Sequence, residues 1–126
     1  MPEEFDYLTF DDVLRIAAGV LPDVGIRDAG LIESAVARPR TSVFGDLAYP
    51  TLMLQAAALM HSLARNHPLV DGNKRLAWSA ARVFLLMNDV DLAYDIDEAE
   101  QLVLSVARGD IDVAEIAQRL ESWATH

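Results

Sequence analysis

Apolar residues recur along this chain at helical spacing in successive stretches separated by short polar breaks. Thr9-Phe10-Asp11-Asp12 has the form of an N-cap with acids in the first turn, and Val13, Leu14, Ile16, Ala17, Val20 and Leu21 then follow at helical intervals. Pro22 and Gly25 end that helix. Asp28 is placed to cap a second one with Leu31, Ile32, Ala35 and Val36 on one side, closed by Pro39 because the residue before a proline is pushed away from helical geometry. From Leu52 to Ala64 and again from Leu76 to Met87 the apolar positions run nearly all the way round, the mark of helices buried on most faces. Asp95 or Asp97 begins a fifth helix through Leu102, Val103, Leu104 and Val106, which Gly109 ends; Asp112 starts a sixth with Val113, Ile116, Ala117, Leu120 and Trp123 on one stripe. The pattern predicts an all-α chain of about six helices with the two most apolar ones as a central pair.

Two stretches depart from helical spacing. Between Pro39 and Pro50, Ser42-Val43-Phe44 and Leu47-Ala48-Tyr49 read as short extended pieces around a turn at Gly45-Asp46, either a hairpin or an ordinary interhelix loop. Twelve residues is a long connection in so small a chain, and long ordered loops are often functional. Leu92-Ala93-Tyr94, after the turn signal Asn88-Asp89, reads as another extended piece.

Length and composition narrow the class. The 126 residues predict a single domain over 1–126, with a core burying roughly two thirds of the unfolded surface. There is no cysteine, so disulfide frameworks and thiolate chemistry are excluded. The start Met1-Pro2-Glu3-Glu4 is acidic with no apolar run behind it, so no signal peptide is expected. The longest charge-free run, Leu47 to Ala64, is interrupted by Pro50, Gln55, His61 and Ser62 and falls short of a membrane span, and a cytoplasmic protein is expected.

The formal net charge of −10 argues against nucleic acid as a partner, since phosphate backbones demand a basic footprint. Charge is nevertheless uneven. Nine carboxylates between Asp89 and Glu115 face Arg108 alone and read as a solvated face, whereas Arg65, Lys74, Arg75 and Arg82 are interrupted only by Asp71.

That cationic stretch holds the chemistry. Between the two apolar helices lies His67-Pro68-Leu69-Val70-Asp71-Gly72-Asn73-Lys74-Arg75. Lys74 and Arg75 fall in the first turn of a helix, where the macrodipole favours acids; for stability they have the wrong sign, and a bound anion reverses that argument. Gly72 can take a positive φ and let backbone approach a ligand. Asn73 is suited to N-capping, with or without a ligand role. Asp71 suits either a second cap or a Mg²⁺ ion on nucleotide phosphate, which commonly uses one or two protein carboxylates. His67 ends its helix before Pro68, so its imidazole can project into the loop as a general base. His61 reads as an ordinary residue of a buried helix. Its spacing to His67 is not a zinc pattern, and no Walker or dinucleotide-binding glycine loop is present.

The nine residues resemble the signature HPFx[D/E]GN[G/K]R of the Fic/Doc family at every position but Leu69, and the likeness to its small Doc-like (death on curing) toxins extends over most of the chain. The resemblance implies a Fic/Doc-like helical bundle with a central helix-loop-helix and a short flap hairpin. It implies ATP and Mg²⁺ as cofactors, His67 as the base, Asp71 as the metal ligand, and Gly72, Asn73, Lys74 and Arg75 as the phosphate site. The flap would be Ser42, Val43, Phe44 and Gly45, pairing with a target chain as an added strand. Most Fic enzymes transfer AMP and have glycine where this chain has Lys74 and arginine where it has Trp78. Lysine is the Doc-like choice, and Doc-like members transfer the γ-phosphate of ATP to a threonine of elongation factor Tu, so the resemblance favours a toxin kinase that blocks translation over an AMP transferase. A non-catalytic nucleotide- or partner-binding domain is the reading from another class. No Ser or Thr is followed four residues on by Glu, so the inhibitory motif [S/T]xxxE[G/N] found in many Fic chains is absent, and inhibition is expected in trans from a Phd-like antitoxin.

Overall fold

The two all-round apolar stretches become α3 (Leu52–Asn66) and α4 (Asn73–Met87) of a computed structural model that describes residues 4–125. The first residues of the chain's acidic start, on which the expectation of no signal peptide rests, lie outside the described part. α3 is the hub: it packs against α4, α2 (Ala29–Ala37), α5 (Ile96–Arg108) and α6 (Val113–Trp123), while α1 (Phe10–Val20) lies on α4. Small side chains permit that many neighbours. Ala56, Ala57 and Ala58 on α3 and Ala77, Ala80 and Ala81 on α4 are wholly buried, letting backbones approach while Leu59, Leu63, Leu76 and Phe84 fill the remaining space. The architecture is all-α, as expected, with six α-helices and only two-residue strands among the described residues.

Four helices start where the sequence places them, at Thr9, Asp28, Asp95 and Asp112. Thr9 and Asp12 form a reciprocal capping box, and Asp28, Thr51, Asp95 and Asp112 each accept a backbone N–H in the first turn of their helix. Gly109 closes α5 in the left-handed conformation with φ 81°. No described helix is long and apolar enough to cross a membrane.

The Pro39–Pro50 segment is a hairpin, β1 (Ser42–Val43) against β2 (Asp46–Leu47), with Ser42 opposite Leu47 and Val43 opposite Asp46. The turn is Phe44-Gly45 rather than the expected Gly45-Asp46. Both residues have positive φ, 53° and 85°, the two-residue geometry that matches strand twist, so Phe44 leaves the strand and its ring stands fully in solvent. The extended piece after α4 is β3 (Asp91–Leu92), and its partner is β4 (Ala124–Thr125), which no local pattern predicts.

Arg38 anchors the hairpin to the bundle. Its guanidinium donates to Tyr49 Oη at 2.9 Å, Ser62 Oγ at 3.0 Å and His61 Nδ1 at 2.9 Å. Arginine only donates, so Nδ1 accepts and His61 is held neutral, which makes it a working part of the anchor rather than an ordinary helix residue. Burial first, then the charges of Arg38 and Arg65, hold its imidazole below the usual histidine range. A folded-state pKa below the unfolded value stabilises the fold above the unfolded pKa of about 6.5, and that contribution is lost as pH falls through this range. Urea unfolding at pH 8 and pH 5 will therefore show a larger acid loss for the native chain than for His61→Gln, which keeps an acceptor but takes up no proton. Parallel losses in the two proteins would contradict this role.

Candidate active site

α3 ends on a histidine. His67 caps the helix at φ 51° and ψ 61°, a left-handed conformation that turns the chain away from the helix axis, and Pro68 prevents any continuation. The turn is held from outside by Arg27, whose guanidinium donates to the carbonyls of His67 at 2.7 Å and Asn66 at 2.8 Å. The amides of Arg27 and Asp28 both reach Pro68 O, the Val70 amide reaches Gly25 O at 2.8 Å, and Ile26 bridges Leu69 in antiparallel fashion. The α1–α2 connection thus acts as a template strand for the loop.

Leu69, the one departure from the family signature, is buried at 1% exposure and fastens the loop to the core. Its N–H donates to Asn73 Oδ1 and its carbonyl accepts from Asn73 Nδ2, both at 2.9 Å. The expectation that Asn73 is the N-cap is therefore corrected. Gly72 takes the cap position at φ 86° with no side-chain cap, and Asn73, the first residue of α4, closes a ring back across the loop. A Cβ on Gly72 would fall 2.5 Å from Leu21 Cδ2, so any other residue would have to displace the Leu21 side chain as well as adopt an unfavourable positive φ. Asp71 leaves one carboxylate oxygen on the Gly72 amide at 2.8 Å.

Three of the four clustered cations have structural employment. Arg65 donates to Ala107 O at 2.8 Å, Arg82 pairs with Asp91 at 3.1 Å, and Arg75 reaches Val20 O at the C-terminal end of α1 at 3.3 Å. Lys74 is exposed, and its side chain has neither hydrogen bond nor ion pair among the described residues. It stands in the uncapped first turn of α4, where the helix amides point outward and no acid is present.

His67, Asp71, Gly72, Asn73, Lys74 and Arg75 line one cleft of about 1120 Å³ between the ends of α1 and α3, the start of α4, and α5. Ser42, Val43, Phe44 and Gly45 lie outside its lining, on the exposed hairpin. Two participants escaped the sequence reading: Arg27, because only the fold brings it to His67, and Tyr94, which joins Trp78 in the cleft wall. The arrangement can accept a proton at His67 and gather negative charge at the start of α4. One carboxylate, Asp71, is what Mg²⁺ on a polyphosphate asks of a protein, while no cluster of three metal-ligating side chains occurs among the described residues.

Residues 7–85 match the Fic/DOC family. The chain is 51% identical over 124 residues to a protein of Mycolicibacterium smegmatis named Toxin Doc, covering 94% of each. It is 32% identical over 119 residues to a protein of Escherichia phage P1 named Protein kinase doc, covering 94% of this chain and 90% of that one. On a family match across the loop and both central helices, and on relatives matched over nearly their whole length, this chain belongs to the Fic/Doc family.

Proposed function

We propose that the chain is a Doc-type toxin kinase, transferring the γ-phosphate of ATP to a Ser or Thr hydroxyl of a protein target in the cytoplasm. The observation that carries it is Lys74, a cation without an internal partner in the uncapped first turn of α4, in one cleft with His67 and Asp71. A Lys at a helix N-terminus that no acid balances is stabilised when a polyphosphate arrives. In the transfer, a lone pair of a His67 ring nitrogen takes the proton of the target hydroxyl. The target oxygen forms a bond to the γ-phosphorus while the bond from that phosphorus to the β,γ-bridging oxygen breaks, and ADP leaves. The first-turn amides, Lys74 and Arg75 receive the phosphate charge. Asp71 is the residue that would hold Mg²⁺, which when bound neutralises charge on the phosphates.

The relatives named Toxin Doc and Protein kinase doc support this reading. Elongation factor Tu is the proposed target, with arrest of translation as the outcome, and the exposed hairpin edge from Ser42 to Gly45 is the proposed docking strand. A Phd-like antitoxin is the proposed inhibitor, and neither nucleic acid nor membrane is a partner.

Incubation with elongation factor Tu and ATP labelled at the α or the γ phosphate tests the reaction. The expected result is label on the target from the γ position alone. Transfer from the α position overturns the kinase reading and identifies an AMP transferase; no transfer from either position to any protein of a cell extract leaves a non-catalytic binding domain.

A further inference from the structure

The cleft has a second chemical character beside its cationic end. Trp78 follows Lys74 by four residues on α4, which places their Cβ atoms about 5–6 Å apart on one helix face. Tyr94, from the strand-to-helix connection after β3, meets it edge-on with ring centroids 4.8 Å apart and planes at 73°. Both rings line the cleft, and both are only half-buried.

These rings are braced from behind. Trp123 packs edge-on against Trp78 at 6.1 Å and 78°, and its own carbonyl accepts the Ala93 N–H at 2.7 Å where β4 joins β3. Arg82 donates to Tyr94 Oη at 3.1 Å, lies over the Tyr94 ring at 5.1 Å, and is fixed in turn by Asp91. A surface that is aromatic, partly open and held on two sides costs little entropy to use, since few rotamers remain to be frozen on binding.

We infer that Trp78, with Tyr94, is the nucleobase-stacking face of the cleft, so that the base of a bound nucleotide lies one helical turn from the phosphates gathered at Lys74. The inference rests on the proposed reading of the cleft as a nucleotide site and deepens it. A ligand with anionic charge at one end and a flat heterocycle at the other fits a cleft with cations at one end and aromatic rings at the other. Stacking of a base on an aromatic side chain tolerates any base, so this face accounts for affinity rather than for the choice of base.

The chain has two tryptophans, so Trp123→Phe leaves Trp78 as the sole indole reporter. That variant, excited where the nucleotide does not absorb, is titrated with Mg²⁺-ATP and with Mg²⁺-triphosphate, and calorimetry follows binding of both. The expected result is quenching of Trp78 by ATP and none by triphosphate. In the full chain Trp78→Leu raises the Kd for ATP roughly tenfold or more and leaves that for triphosphate within about twofold. Trp78→Phe, which keeps a ring and disturbs packing less, stays within a fewfold of the native Kd. Triphosphate that binds while ATP binds no tighter and does not quench overturns the stacking face alone. Failure of both to bind overturns the nucleotide reading and this inference with it. Equal weakening of both ligands by Trp78→Leu, with circular dichroism unchanged, assigns Trp78 to packing and overturns the inference.

Discussion

His67→Ala lowers phosphate transfer by about 10²–10⁴-fold, the usual contribution of a positioned general base, and abolishes growth inhibition, while ATP binds with an affinity close to native. The separation follows from where the two tasks sit. On the proposed reading, polyphosphate meets the first-turn amides of α4, Lys74 and Arg75, none of which depends on the imidazole. The fold does not depend on it either: the bonds at His67 run from Arg27 to its carbonyl, and among the described residues the ring itself has no hydrogen-bonding partner. Alanine tolerates φ 51° somewhat less well than histidine, which is enriched in the left-handed region, but the difference is small, so the melting temperature should move by only a few degrees. Radiolabel transfer gives the rate, calorimetry the nucleotide affinity, and expression in a susceptible host the toxicity. Unchanged toxicity with His67→Ala sinks the general-base role and supports a binding domain.

What the bare chain discloses about this site depends on the range of the interactions concerned. Helix caps are local events, so Thr9, Asp28, Asp95 and Asp112 announce their helices within a few residues, and all four act as caps. The crowding of His67, Asp71, Lys74 and Arg75 into nine residues between two buried helices was likewise visible, because a loop between paired helices has to open at one end of the pair. Asn73 misled because its amide serves cap and cross-loop bond equally well, and the choice was made by Gly72, whose positive φ takes the cap and frees Asn73 to reach Leu69. Phe44 misled because an aromatic residue signals a strand, yet two-residue hairpin geometry placed it in the turn. Arg27 is 40 residues from His67, and β4 pairs with β3 across α5 and α6. Nothing in local spacing records such partners. Sequence also made the four clustered cations look equivalent, whereas their bonds to Ala107, Asp91 and Val20 leave Lys74 apart from the other three.

Asn73→Ala should be the most damaging single change to the loop that keeps the helices themselves intact. The residue is 9% exposed, and its two side-chain bonds of 2.9 Å satisfy both backbone groups of Leu69, where water has no ready access. A buried donor or acceptor left without a partner costs roughly 1–3 kcal/mol, so losing both bonds gives about 2–4 kcal/mol once partial relaxation is allowed for. For a chain of this size that lowers the melting temperature by roughly 10 °C. Asn73→Asp separates the two bonds. One carboxylate oxygen still accepts the Leu69 N–H, and the charge suits the start of α4, but the other oxygen faces the Leu69 carbonyl where an N–H had been. Protonating that carboxyl restores a donor, so Asn73→Asp should regain stability relative to the native chain as pH falls towards about 4, the ordinary aspartate range, whereas Asn73→Ala should not. Urea titrations of the three proteins at pH 7 and pH 4.5 decide it. A cost for Asn73→Ala below about 0.5 kcal/mol, the size of an ordinary surface change, would show that the Ile26–Leu69 bridge and Arg27 hold the loop unaided. The same variants read out function, because His67 and Asp71 flank the Leu69 pivot. If the pivot sets their geometry, kcat falls further than stability alone explains at temperatures where the variants remain folded, since misplacement by about 1 Å can cost on the order of 10²-fold in rate.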